Sequence, residues 1–390
     1  MGWKETSKVD QKLKFIARLL EGEKMAPLCR EFGITRPTGY KILNRYKSMG
    51  ECALVEQKRT PYRYANQLPI PVEALILSLK REFSNWGAPK IREKIIRRHP
   101  DVKTPAISTI HAVLDRNGLV NVRKSRKRYK ANGTPLTHVT NPNDLWCADY
   151  KGEFMMGNKS YCYPLTITDY TSRYLLTCEA LSSTRENFAF EVFRRTFEEY
   201  GIPKAIRTDN GIPFASGGSF YNLTKLSVWW MRLGIHIERI KPGHPEQNGR
   251  HERMHLTLKQ ETTRPPRANL LAQQEEFDKF TNIYNEERPH QGIGMKYPAE
   301  LYSRSTKRYQ KPEPLSYPFH DKTITVTQCG RICDNGLKVN LSRAFAGHQV
   351  GIKEMEDGIW VVSFLDYDLG YFDAVAKRVE PIVDPFELNV

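Results

Sequence analysis

Long apolar runs are missing from this 390-residue chain. No stretch approaches the ~18 consecutive apolar residues of a membrane-spanning helix, so none is expected. The opening MGWKETSKVDQKLKF lacks the apolar core of a secretory leader, and a cytoplasmic protein is the expectation. Cysteine is sparse: seven residues, an odd number, scattered along the chain. The closest pair, Cys329 and Cys333, has no second pair at zinc-ligand spacing, which leaves reduced structural thiols as the plain reading. An HExxH pattern is also absent. His251 and His255, four residues apart, therefore read as DNA contacts or helix surface rather than as a metal box. Acidic residues are scarce only at the N-terminal end. Residues 1–140 hold 29 Lys and Arg against 12 Asp and Glu, whereas residues 141–390 hold 31 against 32. Such segregation points to a nucleic-acid-binding region in the first third.

That third reads as helices. VDQKLKFIARLL places Leu13, Ile16, Ala17 and Leu20 on one face, and MAPLCREF is a second helix broken by Gly33. Thr35 is a plausible N-cap for a third helix, with Pro37 in its first turn. This helix, RPTGYKILNRY, should bury Tyr40, Leu43 and Tyr46 and expose Arg36, Thr38, Lys41 and Arg45, a helix-turn-helix plan whose last helix reads the major groove. PVEALILSLKREF, WGAPKIREKIIRRHP and TPAISTIHAVLDRNGLV repeat that plan. NVRKSRKRYK follows, with Arg123, Lys124, Arg126, Lys127, Arg128 and Lys130 and no acid among them, suited to phosphates along a duplex.

From Leu145 the texture changes. LWCADYKG, YCYPLTITD and RYLLTCEAL read as three strands, RENFAFEVFRRTFEEY as an amphipathic helix, and KAIRTDNG as a strand ending at Asp209. SFYNLTKLSVWWMRLG is helical, IHIERI is a strand, and HPEQNGRHERMHLTLKQE begins as a loop and becomes a helix. The order βββαβαβα describes a ribonuclease-H-like α/β core. After Pro312 the chain turns β-rich, as for a small barrel. The expected organisation is a multidomain chain: helix-turn-helix units over 1–60 and 61–120, a basic linker over 121–143, the core over 144–264, a helical connector over 265–312 and a C-terminal β-barrel over 313–390.

An acid in an apolar core strand is costly to bury unless paired or bound to metal, which singles out Asp149. Asp209, at the end of another strand, stands where α/β sheets collect active groups. Glu246 and Glu252 compete to be the third carboxylate. Glu246 sits in a Pro/Gly-rich loop, whereas Glu252 belongs to the first turns of a helix, which holds a side chain more rigidly. Lys259 falls two turns beyond Glu252 on nearly the same face, where it could hold a phosphate. Three carboxylates suit two Mg²⁺ or Mn²⁺ ions and phosphoryl transfer, and oxygen-only ligands argue against zinc. Asp169, in ITDYTSRY, reads as a turn residue, and Asn210 as a residue that helps orient Asp209.

LWCADYKGEF, TDYTSRYL, RTDNGIPF, HPEQNGRHERMHLTLKQE and YNEERPHQGIGMKYPAELY, with LCREFGITRPTGYKILNRY and WGAPKIREKIIRRHP before them, resemble in order the insertion-sequence transposases with a retroviral-integrase-type DDE core. The similarity spans about residues 3–380. It implies that Asp149, Asp209 and Glu252 are the catalytic, metal-binding acids and that Lys259 contacts the DNA end. It further implies double-stranded DNA (element ends and target) as partner, at least a dimer in synapsis, and a nucleoid-associated bacterial protein. The chain departs from the pattern twice. The 42 residues between Asp209 and Glu252 exceed the spacing of many relatives, and the His/Cys zinc module of retroviral integrases is absent.

Overall fold

The computed structural model describes residues 8–54, 68–120, 139–217, 219–241, 244–334, 336–373, 375 and 377–382. They fall into two compact units, one within Met1–Pro69 and one within Ile70–Val390.

The N-terminal unit is a trio of helices, α1 (Lys8–Leu20), α2 (Met25–Glu31) and α3 (Arg36–Met49). Its core is Phe15, Ile16, Leu28, Cys29 and Leu54. Two inward faces differ from the sequence expectation. In α1, Phe15 and Ile16 point inward and Leu20 is exposed, so the face is turned toward the phenylalanine. In α3 the inward stripe is Gly39, Ile42, Leu43 and Tyr46, and Tyr40 is exposed. Gly39 explains the second shift. A Cβ there would lie 2.7 Å from Cys29 Sγ and 2.8 Å from Met25 Sδ, so α3 meets α2 through bare backbone and the tyrosine is carried off the contact.

The larger unit starts with a second helical trio, α4 (Ile70–Glu82), α5 (Ala88–Arg98) and α6 (Ile107–Arg116). A mixed sheet follows: β1 (Leu145–Tyr150), β2 (Phe154–Met155), β3 (Tyr161–Asp169), β4 (Leu175–Leu181), β5 (Ala205–Thr208) and β6 (His236–Arg239). β3 pairs antiparallel with β1, β2 and β4, while β1, β5 and β6 run parallel. Helices α7 (Glu186–Tyr200) and α8 (Lys225–Arg232) cover one face, packing Phe193, Phe197 and Trp230 against Trp146, Ala148 and Ile206. Helices α9 (Gly249–Thr262) and α10 (Leu270–Asn282) cover the other, with Met254, Leu258, Phe277 and Phe280 against Cys162, Leu175 and Cys178. This three-layer, mixed-sheet arrangement is the expected ribonuclease-H-like core, with β2 as an added two-residue strand. Thr224 caps α8 in a capping box with Ser227, so the helix expected from Ser219 onward starts only at Lys225, after a 3₁₀ turn at Phe220–Asn222.

At the C-terminal end, β7 (Lys322–Thr325), β10 (Gln349–Glu356), β11 (Ile359–Phe364), β12 (Tyr367–Asp373) and β13 (Glu380–Pro381) form an open sheet, and β8 (Arg331–Asp334) pairs with β9 (Leu337–Asn340) as a hairpin. The expected barrel is not closed among the described residues. The edge strand β13 has two residues, one of them Pro381, which has no N–H to extend a ladder to β7.

Candidate active site

Alternation along β1 decides which residues face α9. Trp146 and Ala148 enter the α7/α8 layer, so Cys147 and Asp149 point the other way. The parallel register pairs Cys147 with Arg207, and two residues further along each strand lie Asp149 and Asp209. Glu252 is the fourth residue of α9 and is exposed. The Asp149 carboxyl is pushed up to about 7, first by burial, then by the charge of Asp209, with Glu252 adding to the rise. Burial also raises Asp209, against a 3.1 Å hydrogen bond from the Gly211 N–H to its Oδ1. The backbone around Glu246 forms a short 3₁₀ turn, Pro245–Asn248, that leads into α9 rather than a plain loop. The Glu246 side chain lies outside the described residues.

Beneath Asp149 is a cluster that the sequence did not disclose. Thr166, opposite Asp149 across the β1–β3 ladder, joins its hydroxyl to the Asp149 carbonyl (3.1 Å), His251 Nε2 (2.8 Å) and His255 Nε2 (2.7 Å). Thr168 Oγ1 takes the other His251 nitrogen, Nδ1, at 2.9 Å. His251 is 2 % exposed, so it is neither helix surface nor a DNA contact. The stretch HERMH carries His251 and His255 on the inward face of α9, where both need polar partners. Burial holds His255 down at about 3, and the neutral ring meets Asp149 Oδ2 at 3.8 Å as a dipole rather than an ion pair. Carboxylate and ring nitrogens of Asp149, His251 and His255 lie within 4.8 Å of one another. Both His251 nitrogens are already committed to threonines, however, so this group serves as packing beneath the acids. Of the three candidate acids, Asp149 and Asp209 are half-buried and Glu252 is exposed, and oxygen donors of like charge are the kind that suit a hard divalent cation.

Three other residues behave as support. Arg207 and Glu238, neighbours on β5 and β6, form a buried pair at 2.6 Å, and Arg207 Nη1 also donates to the Gln247 carbonyl at 3.3 Å, bracing the turn before α9. Charged residues inside the apolar strands AIRT and HIER were the available signal. Gly211 is the third: a Cβ there would lie 2.9 Å from Asp209 Oδ2. Asn210 does not touch the Asp209 carboxylate through its amide, which donates to the Ile240 carbonyl at 2.8 Å and ties the ends of β5 and β6 together. Asp169 is a buried turn organiser that accepts from Asn143 N at 2.7 Å and from Ser172 N and Oγ at 2.8 and 2.6 Å.

Lys259 is exposed on α9. Its charge is felt at Lys151, whose ammonium is pushed down by burial first and by Lys259 next. On α3, Arg36, Thr38, Lys41 and Arg45 are exposed. Thr35 holds the cap position, but its hydroxyl meets Thr38 Oγ1 at 2.9 Å instead of a backbone N–H. Arg123, Lys124, Arg126, Lys127, Arg128 and Lys130 lie outside the described residues. Among the described residues no helix is long and apolar enough to cross a membrane.

Comparison with known proteins agrees with the order of domains read from the sequence. Residues 139–245 and 233–298 match the integrase core domain, and residues 6–55 and 38–114 match homeodomain-like domains. A 39.2 kDa protein of insertion element IS476 from Xanthomonas euvesicatoria is 24% identical over 289 residues, 72% of this chain and 79% of its own length. A 31.7 kDa protein of insertion element IS407 from Burkholderia multivorans is 24% identical over 260 residues, 65% of this chain and 89% of its own. Among solved structures, the HTLV-2 integrase catalytic core in complex with magnesium aligns over 42% of this chain and 98% of its own at 16% identity, with a TM-score of 0.34, too loose a match to carry an argument. The family matches and the relatives agree with the motif resemblance, and the chain is one that carries an integrase core domain behind homeodomain-like domains, related to insertion-element proteins.

Proposed function

We propose that this chain is a DNA transposase. It binds the terminal inverted repeats of its own element, cuts the phosphodiester at the element end, and joins the freed 3′-OH to target DNA. The observation that supports this reading is the placing of Asp149 and Asp209 at the ends of the adjacent parallel strands β1 and β5, with Glu252 in the first turn of α9. In the first step the oxygen of water bonds to phosphorus and the 3′ oxygen of the element leaves. In the second that 3′ oxygen bonds to a target phosphorus and a target 3′ oxygen leaves, so no covalent protein intermediate is needed. Mg²⁺ or Mn²⁺, two ions per site, would supply activation of the attacking oxygen and stabilisation of the leaving one. Asp149 and Asp209 would hold them from strand ends and Glu252 from α9, with the Thr166–His255 cluster limiting movement of Asp149. Lys259 would hold a phosphate of the element end beside Glu252. Arg36, Thr38, Lys41 and Arg45 would enter the major groove, and the six basic residues between Arg123 and Lys130 would follow phosphates. One element has two ends, so the working form is at least a dimer.

The test uses labelled element-end DNA and a plasmid target in Mg²⁺. Glu252→Gln should lower strand joining by at least about a thousandfold, as expected when a group of an interdependent catalytic set is lost. Glu246→Gln should stay active, and chelation should stop the wild type. Cleavage without joined product would identify a nuclease. Binding of the ends with no product in Mg²⁺ or Mn²⁺ would identify a silent DNA-binding regulator. A dead Glu246→Gln beside an active Glu252→Gln would reassign the third acid.

A further inference from the structure

A crevice of about 600 Å³ opens in the larger unit on another side of α9. Its walls come from the start of α5, the turn after β3, the α9 surface and the segment after α10. Lys90, Arg173, Arg250 and Arg253 all line it. None of these four has a carboxylate partner among the described residues. Elsewhere in the unit Lys94, Arg97, Arg98, Arg195, Arg207 and Arg267 each have one. A fifth cation of the wall, Arg288, is already matched by Glu261 at 2.6 Å. The one acid in the wall, Asp169, is buried and occupied by the Ser172 and Asn143 hydrogen bonds described above.

The cations are held in place. Arg173 adopts φ +64°, a left-handed conformation that is strained for a non-glycine residue and persists only where the surroundings enforce it. The Asp169 turn enforces it, since Arg173 N donates to the Asp169 carbonyl at 3.0 Å. The guanidinium then crosses Gly292 so closely that a Cβ there would lie 2.1 Å from its Nη2, and its Nε is buried without a partner. Arg250 lies over the Tyr170 ring at 4.0 Å and donates to the Tyr170 carbonyl at 3.1 Å. Lys90 sits where burial first, then Arg288, pushes its ammonium down to about 7, with Glu261 opposing and Arg253 adding to the fall. A positive charge so placed is short of a counter-ion.

We propose that this crevice binds a phosphate group, and that the group is a backbone phosphate of the bound DNA. Its cations come from α5, the turn after β3 and α9, so a strand held there would be fixed against the second helical trio, the sheet and the acid-bearing helix together. The identification of the phosphate as DNA rests on the transposase reading; the anion site itself does not.

The test uses the full chain with two probes, a duplex carrying the element end and inorganic pyrophosphate. The variants are Lys90→Gln with Arg173→Gln, and Lys90→Arg as a charge-preserving control, each checked for an unchanged thermal melt. Each backbone phosphate released lowers the slope of log affinity against log salt by ~0.9. The double variant should lose about one such increment for the duplex, and Lys90→Arg should keep it. If pyrophosphate raises the melting temperature of the wild type and not of the double variant, while duplex binding and its salt slope are the same in both, the site takes a free phosphate and the DNA assignment is wrong. If the folded variants match the wild type with both probes, there is no anion site. A wild type that binds no duplex, yet responds to pyrophosphate through these residues, would remove the transposase reading and leave the site standing.

Discussion

The two helical trios follow one plan in the sequence and use their positive charge in opposite ways. On α3, Arg36, Lys41 and Arg45 are exposed and have no ion-pair partner among the described residues. On α5, Lys94 is buried and meets Glu287 at 2.7 Å, between the rings of Phe83 and Tyr297. Arg98 meets Glu82 and Glu287, each at 2.8 Å, and Arg97 meets Glu93 and Glu300. Helix α6, in the place that α3 holds in its own trio, exposes Ser108, Thr109 and His111, and its Arg116 is paired with Glu73. A basic helix is therefore not by itself a nucleic-acid face. Most of the charge of α5 fastens the second trio to the segment after α10, leaving Lys90 at its first turn without an acid.

If that contrast is right, removing the acid should hurt the second trio most. Glu287→Ala strands the buried Lys94 ammonium and should lower the unfolding free energy by about 2–4 kcal/mol, read from denaturant melts, because an uncompensated buried charge is the costly outcome. A variant as stable as the wild type would mean that α5 is not fastened this way. Acid should separate the two units by a smaller, graded effect. The larger unit contains His290 and His348, which burial holds down at about 3 and about 4, while residues 1–69 contain no histidine. A folded pKa below the unfolded value of about 6.5 means that the unfolded chain binds the proton first. Stability from these residues is therefore present above about pH 6.5 and lost as pH falls from there toward 3. Hydrogen exchange should show the larger unit loosening across pH 6.5–4.5 before the N-terminal unit does, and equal loosening would contradict the assignment. The smallest effect on stability belongs to α3. Lys41→Ala should change it by under ~0.5 kcal/mol while weakening duplex binding. A large loss of stability would show that Lys41 has a structural partner.

Much of the core was legible because its signals are local. Asp149 and Asp209 stand out as acids at apolar strands, and Glu252 stands on the helix that its spacing predicts. The HERMH histidines were misjudged. Their i, i+4 spacing places them on one face of α9 but says nothing about which layer that face meets, and Thr166, which makes the burial of His251 tolerable, is 85 residues away. Tyr40 was misplaced for a related reason: the helical period allows two neighbouring stripes, and only the approach of Cys29 and Met25 to Gly39 selects between them. The expected barrel failed at an edge, where pairing depends on two strands far apart in the chain.

By itself the sequence determined the helical and strand segments, the concentration of positive charge in the first third, and the three candidate acids, because periodicity, turn residues and composition act over a few neighbours. Only the tertiary structure decided which cations are spent on internal acids, which histidines are buried beneath Asp149, and that Lys90, Arg173, Arg250 and Arg253 share one crevice. Those outcomes depend on distance in space between residues up to 203 positions apart, as for Arg97 and Glu300. Pairing and desolvation follow that distance, and no local pattern encodes it.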